Sequence, residues 1–221
     1  MSEPDFLTAA DEAGHRELLQ RCPRRRFATG AFIFHAGEAG DSLHIIRKGR
    51  VAVLAPQSLG DMRTLAILGV NDTFGELAIL LDGHQRTATV QAIEPTETQV
   101  LSRSQVEELR ASSGAIDRFL VELLAHRVDR LTGQLTELAA VPAPERVYRR
   151  IVDLAKIFGA NRPGSRIPVT QAQIASMAGV GLRITNRVIT QAGRDGLLET
   201  GWRHLTIRNL PELRRRSGRR S

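Results

Sequence analysis

Between Phe27 and Leu101 the chain never runs far without a glycine or another turn residue, and that punctuation limits what it can become. Residues 31–34, then Gly37 and Gly40, then 42–46, Lys48-Gly49 and 50–54 are short β-prone runs broken by turns. Residues 64–68 and 88–93 continue the pattern, and 98–101 closes it. Strands this short, with turn signals at this spacing, predict a compact antiparallel barrel or roll. A short helix over 104–109 follows behind a serine cap.

The period then changes. From about Gly114 to Ala140, apolar residues fall at Val121, Leu124, Val128, Leu131, Leu135 and Leu138, in alternating steps of three and four. This is the seam of a coiled coil, and a seam so narrow pairs with another helix. The alternative is one amphipathic helix lying on its own barrel, a role that Phe119, Leu120 and Leu123 suit at the N-terminal end. Gly133 costs roughly 1 kcal/mol relative to alanine inside such a helix, which suggests a packing reason for it. Pro142 and Pro144 end the helix and mark a hinge. A further helix over 145–158 sets Val147, Ile151, Leu154 and Ala155 on one face, and 160–166 reads as an exposed loop.

Residues 167–208 carry a second pattern. Thr170 is an N-cap candidate for a helix over 171–178, Gly179 turns the chain, and 182–192 forms another helix. Ile174, Ala175, Val180, Ile184 and Val188 have the spacing to close the two helices on each other. Arg183, Thr185, Asn186 and Arg187 are left as an exposed face, and 196–207 reads as a β-hairpin wing. Paired helices with a hairpin could be any small α+β module, so charge carries the next step. Residues 141–221 hold 16 Lys+Arg against 5 Asp+Glu, a net +11, whereas residues 1–140 hold 15 against 19, a net −4. Such asymmetry points to a polyanion, most simply nucleic acid, where arginine pairs with guanine edges and asparagine with adenine. The arginine-rich stretch 213–220 is expected to be a disordered tail adding nonspecific phosphate attraction.

Several classes are excluded or disfavoured. Cys22 is the only cysteine, so the chain has no internal disulfide and no thiolate set for zinc or an iron–sulfur cluster. The region of His44, Asp82 and His84 offers no nucleophile with a partnered base and no metal-ligand spacing, so neither catalysis nor a metal or haem is expected. The acidic N-terminus has no apolar core of signal-peptide type and no run is long enough to span a bilayer, which leads to the expectation of a soluble, cytoplasmic protein without a membrane partner.

The segment 74–90 places a glycine-opened helical turn, the carboxylate of Glu76 and the pair Arg86-Thr87 close together in sequence. Alone it would read as a short core helix followed by an exposed arginine and a strand. Backbone N–H groups, a cation, a hydroxyl and an acceptor are also what a cyclic phosphate and its ribose require. With the roll before it and the long helix, hinge and winged helix after it, the chain from about Asp5 to Leu210 resembles the cyclic AMP receptor protein and fumarate/nitrate regulator (CRP/FNR) family. Residues 40–53 match that family's roll signature, and Gly75-Glu76-Leu77 followed by Arg86-Thr87 matches its phosphate-binding cassette.

The resemblance implies an α+β fold: a cyclic-nucleotide-binding β-roll over 1–113, a dimerisation helix over 114–141 and a winged helix-turn-helix over 142–221. It implies a homodimeric transcription regulator acting on a palindromic operator with RNA polymerase as a further partner. Its effector would be a cyclic nucleotide, most simply cyclic AMP; the alternative is a regulator of the same family that binds DNA without ligand or senses another ligand such as cyclic di-GMP. Glu76 would accept from the ribose 2′-hydroxyl, Arg86 and Thr87 would hold the phosphate, and the backbone of Gly75, Glu76 and Leu77 would line the pocket. Arg127 would approach the phosphate side and Thr132 the purine, where Leu131 replaces the family's second hydroxyl. Thr170, Arg183, Thr185, Asn186, Arg187 and Arg203 would form the DNA contacts; of the family's usual reading-helix residues only Arg187 is kept.

Overall fold

The β-prone runs pair into two antiparallel four-stranded sheets that enclose an apolar interior. A computed structural model describes residues 6–12, 16–57, 62–81 and 85–218. In chain order the elements are α1 (Phe6–Glu12), α2 (Arg16–Arg21), β1 (Arg24–Phe27), β2 (Phe32–Phe34), β3 (Ser42–Lys48), β4 (Val51–Pro56) and β5 (Met62–Leu68). Then come β6 (Thr73–Phe74), α3 (Leu77–Leu80), β7 (Thr89–Ala92), β8 (Thr96–Ser102), α4 (Arg103–Ser112) and α5 (Gly114–Ala140). The remainder is α6 (Ala143–Ile157), β9 (Arg166–Ile167), α7 (Gln171–Ala178), α8 (Leu182–Arg194), β10 (Leu198–Gly201), β11 (His204–Ile207) and α9 (Leu210–Arg216). One sheet runs β1-β8-β3-β6 and the other β2-β7-β4-β5, while β10-β11-β9 forms a small third sheet.

The chain divides into two compact units, Met1–Met62 with Leu68–Thr132 and Arg63–Ile67 with Gly133–Ser221, so the division falls inside α5. In the first unit, Phe34, Ile46, Val51, Leu68, Phe74 and Val90 fill the roll. A second cluster joins Leu43, Ile45 and Leu101 of the roll to Val106 and Leu109 of α4 and to Ile116, Phe119, Leu120 and Leu123 of α5. The early part of the long helix therefore does lie on its own roll, and Phe6 of α1 meets Phe119 edge-on at 5.0 Å. Cys22 is buried and in no disulfide, and burial pushes its pKa up, as suits a packing role.

Beyond Leu123 the apolar positions of α5 change character. Val128, Leu131, Leu135 and Leu138 are all exposed, as is Val121 on the same stripe, and among the described residues nothing lies within 4 Å of a Cβ built at Gly133. In the second unit, Val147, Ile151, Leu154 and Ala155 of α6 are buried with Ile174 of α7, Val188 and Ile189 of α8, and Leu205 and Ile207 of β11.

The C-terminal stretch corrects the expectation of a disordered tail. Residues up to Gly218 are ordered, with Leu213 fully buried and Asn209 capping α9 through Glu212 N. Arg215 and Arg216 pair with Glu212, and Arg216 also reaches Asp195 at 2.5 Å. Those two charges are engaged by carboxylates, which weakens the case for free phosphate attraction. Residues 219–221, like residues 1–5 at the other end and Asp82 and His84, lie outside the described residues.

Candidate ligand-binding and nucleic-acid sites

Arg86 is placed by backbone bonding that crosses the roll. Gln85 bridges Ala39, Arg86 N donates to Glu38 O at 2.8 Å, and Gly37 N donates to Arg86 O at 2.8 Å. The guanidinium is thereby carried inward. Nη1 donates to Ser42 O at 2.8 Å and Gly75 O at 3.1 Å, Nη2 donates to Ser42 Oγ at 2.9 Å, and the group lies 4.1 Å from the centroid of Phe34. Burial lowers the Arg86 pKa below the usual arginine value, against the opposing field of Asp41, Glu76 and Glu38. Arginine remains a cation under such conditions.

Two glycines make room for it. Gly75 has φ +87°, and a Cβ there would fall 2.6 Å from Arg86 Nη1; at Gly40 a Cβ would lie 2.3 Å from Ala78 Cβ and 3.0 Å from Arg86 Cδ. The glycine ahead of Glu76 therefore serves close approach as well as the left-handed turn. Arg103 secures the far end of α3, donating through Nη1 to Ile79 O at 2.8 Å, one of the carbonyls that a short helix leaves open.

Glu76, at the N-terminal edge of α3, is 1% exposed. Its Oε1 accepts from Arg127 Nη1, and Arg127 Nη2 donates to Thr73 O at 2.7 Å. Among the described residues the second carboxylate oxygen, Oε2, has no hydrogen-bond partner, nor do Thr73 Oγ1, Arg86 Nε and Arg127 Nε. Buried polar atoms left unsatisfied are costly and call for an explanation such as a bound ligand. The structure thus brings Gly75, Glu76, Arg86 and Arg127 together, with Arg127 on the carboxylate. Leu77 is half-buried, and Thr87 and Thr132 are exposed. Ser42 and Thr73, which hold the two arginines, were not singled out in sequence; Ser42 lies within the roll signature, but nothing marked Thr73.

His44 lies beneath this region. Its ring stacks on Phe74 at 4.9 Å and its Nδ1 lies 3.2 Å from Thr98 Oγ1. Burial, reinforced by the positive charges of Arg86 and Arg25, lowers its pKa to about 3. A histidine neutral across the physiological range is packing material rather than an acid–base group.

In the second unit, Thr170 caps α7 as expected: its hydroxyl accepts from Gln173 N at 3.1 Å, while Gln173 Oε1 accepts from Thr170 N at 2.8 Å. Gly179, at φ +60° and ψ +40°, ends α7 in the left-handed conformation. The inward face of α8 corrects the sequence expectation. Thr185, assigned to the DNA-facing side, is 0% exposed, whereas Ile184, assigned to the core, is 42% exposed. The buried set is Thr185, Val188, Ile189 and Ala192. Adjacent helix residues differ by about 100°, so a buried stripe through Thr185, Val188, Ile189 and Ala192 leaves Ile184 at its solvent edge. Thr185 tolerates burial because its hydroxyl donates to Gly181 O at 3.3 Å, the turn before it. Arg183, Asn186 and Arg187 are exposed, and Arg203 is exposed at the tip of the β10-β11 hairpin.

Among the described residues no group of three or more His, Cys, Asp or Glu side chains could hold a metal ion, and no helix is long and apolar enough to cross a membrane.

Comparison with known proteins identifies a domain family in each part of the chain. Residues 24–113 match the cyclic nucleotide-binding domain family and residues 145–216 the Crp-like helix-turn-helix domain family. The chain is 29% identical over 194 residues to a CRP-like cAMP-activated global transcriptional regulator of Mycobacterium tuberculosis, covering 86% of each chain. It is 27% identical over 196 residues to the cAMP-activated global transcriptional regulator Vfr of Pseudomonas aeruginosa, covering 86% of this chain and 92% of that one. In fold it is similar to a CRP-family transcriptional regulator of Thermus thermophilus, with TM-score 0.74, 24% identity and coverage of 88% and 97%. The c-di-GMP-responsive regulator CLP of Xanthomonas campestris gives TM-score 0.71 at 22% identity, with coverage of 91% and 99%.

Proposed function

Since the chain belongs to the CRP/FNR family of DNA-binding transcription regulators, we propose that its effector is cyclic AMP, held between Glu76 and Arg86. One observation carries this reading. A buried carboxylate and a buried guanidinium flank the Gly75 turn, with Glu76 Oε2 and Arg86 Nε unpartnered among the described residues. A ribose hydroxyl supplies the donor that Oε2 lacks, and a cyclic phosphate supplies the acceptor that the guanidinium lacks. The relatives in Mycobacterium tuberculosis and Pseudomonas aeruginosa are cAMP-activated, which supports the same nucleotide here.

Two protomers join along the exposed stripe of α5 from Val121 to Leu138, which burial in one protomer leaves unused. A dimer presents two copies of α8 to half-sites about 34 Å apart on a palindromic operator. Arg183, Asn186 and Arg187 enter the major groove, and RNA polymerase is the further partner. The protein acts in the cytoplasm.

Calorimetry with cyclic AMP, cyclic GMP and cyclic di-GMP tests the effector. Cyclic AMP should bind to the wild type and bind far more weakly to Arg86→Leu, because the substitution leaves the phosphate without its charge partner. Arg86→Lys separates charge from the planar fork and should bind with intermediate affinity. Preference for cyclic di-GMP, or equal titrations for wild type and Arg86→Leu, would reject the assignment. Operator binding with and without nucleotide then decides whether the ligand is coupled to DNA, since linkage requires the effect to be reciprocal.

A further inference from the structure

The helix that carries Glu76 is held by a side chain from outside the ligand cassette. α3 is four residues long, Leu77–Leu80, far below the length at which a helix sustains itself. Among the described residues its backbone bonds run from Ile79 N and Leu80 N to Glu76 O, each at 3.0 Å, and from Leu81 N to Leu77 O at 2.9 Å. The carbonyls of Ala78 and Ile79, both buried residues, lie past those bonds and take a donor from elsewhere. That donor is Arg103, whose Nη2 reaches Ala78 O at 2.5 Å while Nη1 reaches Ile79 O at 2.8 Å.

Arg103 works from a fixed base. It is the first residue of α4, where Ser102 Oγ accepts from Gln105 N at 3.2 Å and Ser102 N donates to Gln105 Oε1 at 2.9 Å. Its own N–H donates to Asp41 O at 2.7 Å, and its Nη2 lies 3.5 Å from Gly40 O. One side chain thus spans the turn at Gly40 and the end of α3. Those two segments flank Arg86: Gly75 O accepts from its Nη1, and a Cβ at Gly40 would lie 3.0 Å from its Cδ and 2.3 Å from Ala78 Cβ.

Resting on the reading that the effector lies between Glu76 and Arg86, we propose that Arg103 is a positioning residue for effector binding, which holds α3 and the Gly75 turn at the separation from Arg86 that the nucleotide requires. It acts through the backbone of α3 rather than on the nucleotide. Arg127 restrains the Glu76 side chain from α5, whereas Arg103 restrains the helix on which that side chain is mounted. Without the guanidinium the Ala78 and Ile79 carbonyls lose a donor, α3 frays, and Glu76 is no longer held at a set distance from Arg86. A planar fork serves two carbonyls at once, and an ammonium group does not.

Full-length wild type, Arg103→Met and Arg103→Lys are titrated with cyclic AMP by calorimetry, and amide hydrogen exchange is followed by NMR in the free and saturated proteins. Arg103→Met should raise Kd roughly tenfold, and Arg103→Lys should fall between it and wild type. In free Arg103→Met, exchange should quicken at the N–H groups of Ile79, Leu80 and Leu81, while those of Gly37 and Arg86, which fix the segment around Arg86, keep wild-type protection. Saturating nucleotide should return the α3 protection. An unchanged Kd in both variants would overturn the proposal whatever their unfolding midpoints, as would a raised Kd with α3 exchange unchanged. If Arg103→Met also loses protection at Gly37 and Arg86, Arg103→Lys decides, and a wild-type Kd in that variant overturns the proposal. Wild type that takes up none of cyclic AMP, cyclic GMP and cyclic di-GMP would reject the effector reading and this proposal with it, whereas unchanged variants beside a binding wild type reject this proposal alone.

Discussion

Arg127 of α5 and Glu76 at the start of α3, fifty-one residues apart, form an ion pair that uses only one oxygen of the buried carboxylate. The other oxygen stays open, so holding the long helix and accepting from a ligand are not competing tasks for Glu76. Breaking the pair from either side strands a charge: Glu76→Gln leaves Arg127 with the Thr73 carbonyl alone, and Arg127→Met leaves a carboxylate buried and unpaired. Each single variant should unfold at lower denaturant than the wild type. The double variant should lose less than the sum, giving a coupling of about 2 kcal/mol in a double-mutant cycle. Additive losses would mean that the pair contributes no coupling.

The site was only partly legible in the sequence, for reasons that differ by residue. Gly75, Glu76 and Arg86 carry a local signature because the turn, the carboxylate and the cation occupy one cassette. Arg127 was found only through the family resemblance, and its attachment to Glu76 and Thr73 depends on how α5 meets the roll, which no spacing encodes. Thr185 misled because its polar side chain suggested exposure, while its methyl and a hydroxyl bonded to Gly181 O suit the interior. The arginine run after Leu213 misled likewise: its partners Glu212, Asp195 and Tyr148 come partly from distant segments. The long helix was the easiest element to read, since its stripe repeats over many turns and its outcome changes only where the roll ends.

His44 sets a pH dependence whose sign follows from its depressed pKa. With a folded value of about 3 against an ordinary value near 6.5, the unfolded chain binds the extra proton between those limits. Stability contributed by the neutral ring is therefore full above about pH 6.5 and is lost as pH falls through that window toward 3. One such group gives a slope of up to about 1.4 kcal/mol per pH unit. Urea unfolding of wild type and His44→Gln between pH 4 and 7 should show a shallower pH slope in the variant, whatever its absolute stability.

Dimerisation through the exposed stripe on α5, as proposed, would be separable from folding. Leu135 is 68% exposed in the protomer, so Leu135→Asp removes little from its core. In a dimer the same carboxylate would be buried against an apolar seam. Sedimentation should show a monomer with an unchanged circular dichroism spectrum and weakened binding to a palindromic site. An intact dimer would place the interface elsewhere.

Sequence reading should divide along the two faces of α8. Arg183 and Arg187 are one helical turn apart and exposed, with Asn186 beside them, so on the proposed reading these side chains would reach base edges with the helix in the major groove. Arg187→Ala should cost about 1–3 kcal/mol at one guanine position and relax the preference there. Thr185→Val faces the opposite way and keeps the buried shape, so it should leave the selected consensus untouched. Selection on random DNA with all four proteins, wild type, Arg183→Ala, Arg187→Ala and Thr185→Val, compares the faces directly. An unchanged consensus in both arginine variants would show that they hold the helix against phosphates without reading bases, and an altered consensus in Thr185→Val would show that the inward face sets the helix's angle in the groove.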